Sequence, residues 1–542
     1  MTAVDGTATA DPQSPNPAHQ RAGDTTTLAR RGVLSFVGGV AFGVFNFLWI
    51  VVVTQGWGSQ RAGELFEGVA VFTIAVSIVI FGAEVGLVRG FAGAAATDRH
   101  HELRHMLLVA LTPVLAVSLL VAALAPALAM PAAELFVSGE RGVDAVADYI
   151  RTFGYFVPFA TMFYTLLAAT RGLGKMSPTV FLEKFARGGM QAAFAFIVVI
   201  AGAGATAMAV GYGLPFAIGA VLAAGWLFAN LRTVERNAKT ERAITASFSA
   251  IGREFWRFAA PRGLASVFQA GSMWLDTLLV GGLLSAAAAG VYTASSRLLL
   301  VGSFFLLALI QAIGPQISAM FARGEPKRAE DVYRTATGWL VTLTWPLYLT
   351  MAVFAPTILR LFGTDFASGA PVVVIMSLAM LLSMALGPVD IVLLMGGKSS
   401  WNLINTIISL AVNIVLNLIL IPRMGITGAA LAWAVSIALN NLLPALQVHV
   451  MLGINAISRR LLVPGLASVA CFAGLGLVIR SVMGQSFVAL ALAIVVGGII
   501  YLAVVWRYRR LLQLGALGNV LRRPRKSRAD AAGRQATDDV SP

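Results

Sequence analysis

The stretch His105–Leu128, HMLLVALTPVLAVSLLVAALAPAL, decides the fold. A helix needs about 20 mostly apolar residues to cross roughly 30 Å of hydrocarbon, and beyond His105 this run carries no ionisable side chain. In a bilayer such a helix satisfies its own backbone groups, and its side chains match the surrounding lipid. Runs of the same kind extend in both directions almost without a gap. Upstream lie Gly32–Thr54 and Phe66–Val88; downstream lie Ile150–Thr170, Pro178–Ala201, Thr206–Ala229, Phe255–Leu283 and Ala288–Met320. Ala336–Ala355, Pro371–Leu394, Trp401–Ile421, Thr427–Val448, Leu462–Ile479 and Phe487–Trp506 complete the series. The expected fold class is an all-α polytopic membrane protein with about fourteen transmembrane helices.

Composition agrees. Of 542 residues, 58% are hydrophobic and 12% charged, and the mean hydropathy is +0.80. Soluble domains carry about a quarter charged residues, so a water-soluble globule is excluded. One cysteine, Cys471, lies inside an apolar run, which excludes an internal disulfide and a Cys-rich zinc site. The preference for Arg over Lys and Ala over Ile is that of a GC-rich bacterial genome.

The chain holds 40 Lys and Arg against 25 Asp and Glu, a net charge of +15. Basic residues are retained on the cytoplasmic side of a bilayer. With the N-terminus inside, most of them fall in inner links, among them Arg89, Arg99, Arg104, Arg171, Lys175, Arg253, Arg257 and Arg460, or in the tails. The outer segments hold few, and the longest, Met130–Tyr149, is acidic. An even number of spans with both termini cytoplasmic produces this division. The charge is thus a topology signal, and no nucleic-acid partner is implied.

Two segments repeat. IAGAGATAMAVGY from Ile200 lies over IPRMGITGAALAW from Ile421, so Gly204 matches Gly425 and Thr206 matches Thr427. At nearly the same offset Gly174-Lys175 falls on Gly397-Lys398, and Trp49 on Trp274. Such spacing predicts two parallel-repeat six-helix lobes plus two C-terminal helices. The boundaries are 1–31, a disordered cytoplasmic N-tail; 32–230, the N-lobe; 231–254, a cytoplasmic inter-lobe loop; 255–451, the C-lobe; 452–506, helices 13 and 14; and 507–542, a basic disordered cytoplasmic C-tail.

A charge at bilayer depth costs at least about 2.5 kcal/mol, so it faces a cavity or a partner. On the seventh span Arg262, Ser266, Gln269 and Asp276 share one face at helical spacing, and on the eleventh Asn402, Thr406, Ser409, Asn413 and Asn417 do the same. These stripes can line water or sugar, or hydrogen-bond neighbouring helices. The fifth span carries Glu183 and Arg187 four apart, able to neutralise one another, with Lys184 beside them. Arg297 on the eighth has Asp276 as its obvious partner, while Glu84 with Arg89, and Asp390 near Lys398, read as pairs at the inner face.

Other chemistry lacks its residues. Gly397-Lys398-Ser399 has Val392 where a phosphate-binding loop needs glycine. His19, His100, His101, His105 and His449 form no metal-spaced cluster on one helix. No cofactor is expected, and the short outer loops make an enzyme the weaker class.

Four stretches resemble the polysaccharide-export branch of the multidrug/oligosaccharidyl-lipid/polysaccharide (MOP) flippase superfamily. They are Phe81-Gly82-Ala83-Glu84-Val85-Gly86-Leu87-Val88-Arg89; Ala260-Pro261-Arg262 with Asp276, Gly290-Val291-Tyr292 and Arg297; Met395-Gly396-Gly397-Lys398; and Asn413 to Asn417 followed by Leu420-Ile421-Pro422, Gly425 and Gly428-Ala429-Ala430. The resemblance runs over roughly residues 30 to 510. It implies two lobes facing one another across a cavity that opens alternately to either side of a bacterial cytoplasmic membrane. The implied cargo is an undecaprenyl-pyrophosphate-linked oligosaccharide, with membrane lipid and the polymerase and glycosyltransferases of the same pathway as partners. In that setting Arg262 and Arg297 would hold the diphosphate, and Gln269, Asn402, Asn413 and Asn417 the sugar. Asp276, Glu183, Arg187, Lys184 and Glu84 would act as charge partners or in coupling. Lipid II flippases of the superfamily show more cationic residues in their first two helices than this chain does. A multidrug antiporter of the same superfamily and a membrane-embedded glycosyl-transferring enzyme are the competing functions.

Overall fold

The computed structural model of the chain describes residues 17–97, 99–137, 140–237, 247–455 and 458–513. Among them there is no strand. In chain order the helices are α1 (Pro17–Ile80), α2 (Ala83–Ala96), α3 (Leu103–Phe136), α4 (Glu140–Gly154), α5 (Val157–Gly172), α6 (Gly188–Ile200), α7 (Ala205–Asn237), α8 (Phe248–Leu283), α9 (Ala286–Leu298) and α10 (Leu300–Ala322). There follow α11 (Pro326–Val353), α12 (Ala355–Leu359), α13 (Ala370–Leu386), α14 (Val389–Met395), α15 (Ser399–Met424), α16 (Ile426–Leu452), α17 (Arg459–Ser468), α18 (Leu475–Met483) and α19 (Phe487–Arg507). Two π-helical stretches, Thr179–Arg187 and Val469–Gly474, join α6 and α18 to what precedes them.

The protein is an all-α polytopic membrane protein. Among the described residues, 9 helices are long and apolar enough to cross a bilayer, or 11 with the bent pairs Gly142–Gly154 with Val157–Gly172, at 49°, and Pro326–Val353 with Ala355–Phe362, at 84°. The difference from the expected fourteen has a physical reason. The first two expected spans lie in one helical stretch, Val37–Ile80, kinked at Gly58, whose φ of 70° only a residue without a Cβ adopts easily. The fifth and seventh expected spans are helical but carry the buried charges, which lower their apolarity.

Two expectations about the ends change. Residues 17–31, expected as part of a disordered tail, belong to α1. The tail segments 1–16 and 514–542, and the middle of the expected inter-lobe loop at 238–246, lie outside the described residues.

The helices fall into two compact units: Met1–Phe304 with Arg360–Phe366 and Asn417–Ala429, and Phe305–Leu359 with Ala367–Leu416 and Ala430–Pro542. In the first, Trp49, Phe66, Phe72, Phe153, Tyr212 and Phe216 form a continuous ring cluster, with Trp49 and Tyr212 centroids 5.2 Å apart. Gly63 of α1 and Gly290 of α9 pack backbone to backbone, so a Cβ on either would strike the other helix. The short 360–366 segment joins this unit through Gln55, which donates to the Leu361 carbonyl at 2.9 Å, and through Phe47 against Phe362. The second unit packs Ile313, Ile317, Tyr333, Val389, Leu393 and Val448 together.

Candidate functional site

Of the ions singled out from sequence, Glu84, Glu183, Lys184, Arg187, Arg262, Asp276 and Arg297 lie in the first unit, whereas Asp390 and Lys398 lie in the second, where one Asp390 carboxylate oxygen is buried without a hydrogen-bond partner among the described residues. Three connected groups of polar side chains emerge in the first unit.

The first is an ion-pair chain. Arg171, at the end of α5, reaches Glu84 of α2 at 3.2 Å and Glu183 at 3.8 Å, and Lys184 holds Glu183 at 2.6 Å. Two expected pairings are replaced. Glu84 cannot meet Arg89, because residues five apart point about 140° apart on an α-helix; Arg89 instead lies 4.0 Å over the ring of Phe258. Glu183 takes Lys184 and Arg171, while Arg187 turns to Gln191 at 3.2 Å. Glu183, Lys184 and Arg187 themselves sit on the π-helical stretch, a widened turn often found at functional positions. Beside it, a cavity of 190 Å³ is lined by the hydroxyls of Thr73, Ser77, Tyr164 and Ser266 and by Glu84.

The second group is two guanidiniums held against rings. Arg187 rests between Phe42 at 5.1 Å and Phe216 at 4.9 Å, and Gln191 donates onward to the Tyr212 carbonyl at 3.1 Å. Arg297 of α9 lies 4.0 Å over Trp274 of α8. Each arginine is thus held by rings, which fix its plane while leaving N–H edges for an acceptor.

The third group is Asp276. It accepts from the Tyr292 hydroxyl at 3.0 Å and from the Asn417 amide at 2.8 Å, and the adjacent Thr277 and Thr293 hydroxyls meet at 3.1 Å. The face expected on α8 divides: Asp276 is buried, whereas Arg262, 6.0 Å from the Phe258 ring, and Gln269 are exposed.

The asparagine stripe of α15 keeps Ser409, Asn413 and Asn417 and changes only at its N-terminal end. Its buried members are Asn405, Ser409, Asn413 and Asn417, four apart, whereas Asn402 is half-buried and Thr406 exposed. Asn405 and Gln447 of α16 exchange amide hydrogen bonds at 2.7 and 2.9 Å, and Ser436 donates to the Ser409 carbonyl at 2.8 Å. Sequence reasoning missed Arg171, Gln191, Tyr212, Tyr292 and Asn405 as site residues. Arg171 was hidden because its position at the end of a span marks topology. Asn405 was detectable from the four-residue spacing that it shares with Ser409. Among the described residues, no group of three His, Cys, Asp or Glu is placed to hold a metal.

Comparison with known proteins fits this architecture. Residues 261–419 match the MatE family model. Over 180 residues, 32% of this chain and 37% of the relative, the sequence is 29% identical to the probable low-salt glycan biosynthesis flippase Agl15 of Haloferax volcanii. The match thus spans little more than a third of that relative's length. The lipid II flippase MurJ in its inward closed conformation superposes with a TM-score of 0.69 at 13% identity, covering 89% of this chain and 99% of that one. An inward-facing multidrug resistance MATE family transporter gives 0.64 at 16% identity, covering 76% and 94%.

The fold is that of a multi-pass α-helical membrane transporter. The MatE match covers under half of the chain, and the structural neighbours share its fold.

Proposed function

We propose that the protein moves a polyprenyl-pyrophosphate-linked oligosaccharide from the inner to the outer leaflet of a bacterial cytoplasmic membrane. It does so by alternating access of two six-helix lobes, with both termini cytoplasmic and the polysaccharide polymerase and glycosyltransferases of the pathway as partners. The observation that carries this reading is that Arg187 and Arg297, in the same compact unit, each lie against aromatic rings. A diphosphate needs forked cationic donors, and rings under the guanidiniums fix those forks without competing for their hydrogen bonds. The sugar needs neutral donors and acceptors, which Gln269 and Asn417 of the first unit supply. Arg187 joins Arg297 as a diphosphate ligand, since its guanidinium is held between the Phe42 and Phe216 rings. The glycan biosynthesis flippase among its relatives supports the cargo class.

The test is reconstitution of the full chain in vesicles carrying a fluorescent polyprenyl-pyrophosphate oligosaccharide in one leaflet. Transfer to the other leaflet is expected, and Arg187→Ala with Arg297→Ala reduces it by about 100-fold, the loss of two charge-assisted contacts. Ethidium movement without oligosaccharide movement overturns the reading in favour of a multidrug antiporter. A new glycosylated product formed in detergent overturns it in favour of an enzyme.

A further inference from the structure

The first unit holds a second cavity, of 450 Å³, where α2, the residues that follow it and the first turns of α8 meet. Its cations come from three segments: Arg89 on α2, Arg99 after it, and Arg257 on α8. Arg99 pairs with the buried Glu102 at 3.3 Å, so those two charges close on one another. Arg89 is stacked at 4.0 Å on Phe258, which fixes the plane of its guanidinium, and Arg257 is exposed. Against these two cations stands one further carboxylate in the lining, Glu254. On the α2 side Gly86 and Gly90 pack closely on Phe255 and Met106, whereas a Cβ built at Gly93 would meet nothing within 4 Å, so the cavity has room there.

We propose that this cavity is a phosphate-ester site that takes the headgroup of an anionic phospholipid. Two arginines in excess of the internal pair match one phosphodiester, and a planar fork held by a ring is suited to phosphate oxygens. Glu254 can accept a hydrogen bond from a headgroup hydroxyl, and the apolar wall around Phe258 meets the glycerol and the first acyl carbons. The site lies at the arginine-rich end of the spans, the end that the charge distribution assigns to the anionic cytoplasmic leaflet. It shares no residue with the Arg187 and Arg297 pair, so it does not rest on the flippase reading. A soluble phosphate ester has the same chemistry, and the experiment separates the two sources.

The full-length protein in neutral detergent is titrated with phosphatidylglycerol, with phosphatidylcholine of the same acyl chains, and with glycerol phosphate, and lipid adducts and thermal stabilisation are measured. Two variants attack the site differently. Gly93→Leu fills the cavity without touching a charge, and Arg89→Gln with Arg257→Gln removes the forks without filling it. Arg253→Gln, one turn away and outside the lining, is the control. Phosphatidylglycerol is expected to bind the wild type and the control alike, and each site variant about tenfold more weakly. Stabilisation by glycerol phosphate, lost in both site variants and unmatched by any selective lipid effect, keeps the phosphate site and assigns it a soluble ligand. Equal binding of both lipids, or an Arg253→Gln loss as large as that of the site variants, overturns the site. Stability of each variant without added ligand is read in parallel, and a variant that is unstable on its own leaves the other to decide.

Discussion

The two compact units solve the same problem, polar groups inside a bilayer, with different chemistry. The first buries charge: an ion-pair chain through Arg171, two ring-mounted arginines and an aspartate with neutral donors. The second relies mostly on neutral pairs, Asn405 with Gln447 and Ser383 with Asn441, and sets its ion pairs near helix ends, as with Arg460 and Asp331 at 2.6 Å or Arg334 and Glu330 at 2.7 Å, with Asp390 as its one half-buried carboxylate among the described residues that the sequence had marked. Neutral interhelical bonds contribute about 0.6 kcal/mol each and serve as glue. Buried charges are costly and are kept where a ligand or a moving proton uses them. The contrast places the connected charges in the first unit, where the proposed site lies. Helices α8 and α9, which the repeat places with the second lobe, bring their charges into the first unit.

The hardest blow to this contrast falls on Asp276. Asp276→Ala removes the acceptor shared by Tyr292 and Asn417 and leaves two buried donors without it, at about 1 to 3 kcal/mol each. We expect a clear fall in the thermal unfolding midpoint and loss of transport. Asp276→Asn keeps the shape and one acceptor oxygen and should restore most of the stability. If it restores transport as well, the charge at this position is dispensable and the first unit is less specialised than described.

Next in size is the ion-pair chain. Arg171→Met leaves Glu84 and Glu183 without their common cation, and breaking a partly buried pair by removing one member costs about 3 kcal/mol. Replacing all three with Met, Gln and Gln should recover most of that stability, measured by unfolding in detergent, and leave transport reduced. Full transport in the triple variant would show the chain to be structural only.

In the second unit the corresponding change is smaller. Asn405→Ala strands the Gln447 amide and should lower stability by about 0.6 to 2 kcal/mol, with transport intact. A transport defect larger than the stability loss would move the α15 stripe from scaffolding into the site.

How much of this was visible in the sequence follows from the range of the interactions. Each expected span falls on helix, because hydrophobicity is a local property of twenty or so residues. Most of the buried ions were recognisable one by one, since a charge in an apolar run stands out by itself, but Glu67, at the very start of its span, was passed over. Their partners were not. Glu84 with Arg171, and Asn417 with Asp276, are separated by 87 and 141 positions, and only the packing of the helices chooses among the available donors.

The smallest predicted effect tests the comparison from inside the first unit. Glu67 of α1 is 0% exposed and packs against Gly281 of α8, yet neither carboxylate oxygen has a hydrogen-bond partner. It is therefore unlike Glu183, which holds two cations. A buried carboxylate without partners is costly in any apolar setting, and the amide of Gln has the same shape and no ionised form. Glu67→Gln should leave the unfolding midpoint unchanged or raise it, by no more than about 1 kcal/mol in stability, whereas Glu183→Gln should lower it. If Glu67→Gln instead abolishes transport while the protein stays folded, the carboxyl is used for the proton that it can take up and release. The first unit would then contain a second class of functional charge, one that works without a partner.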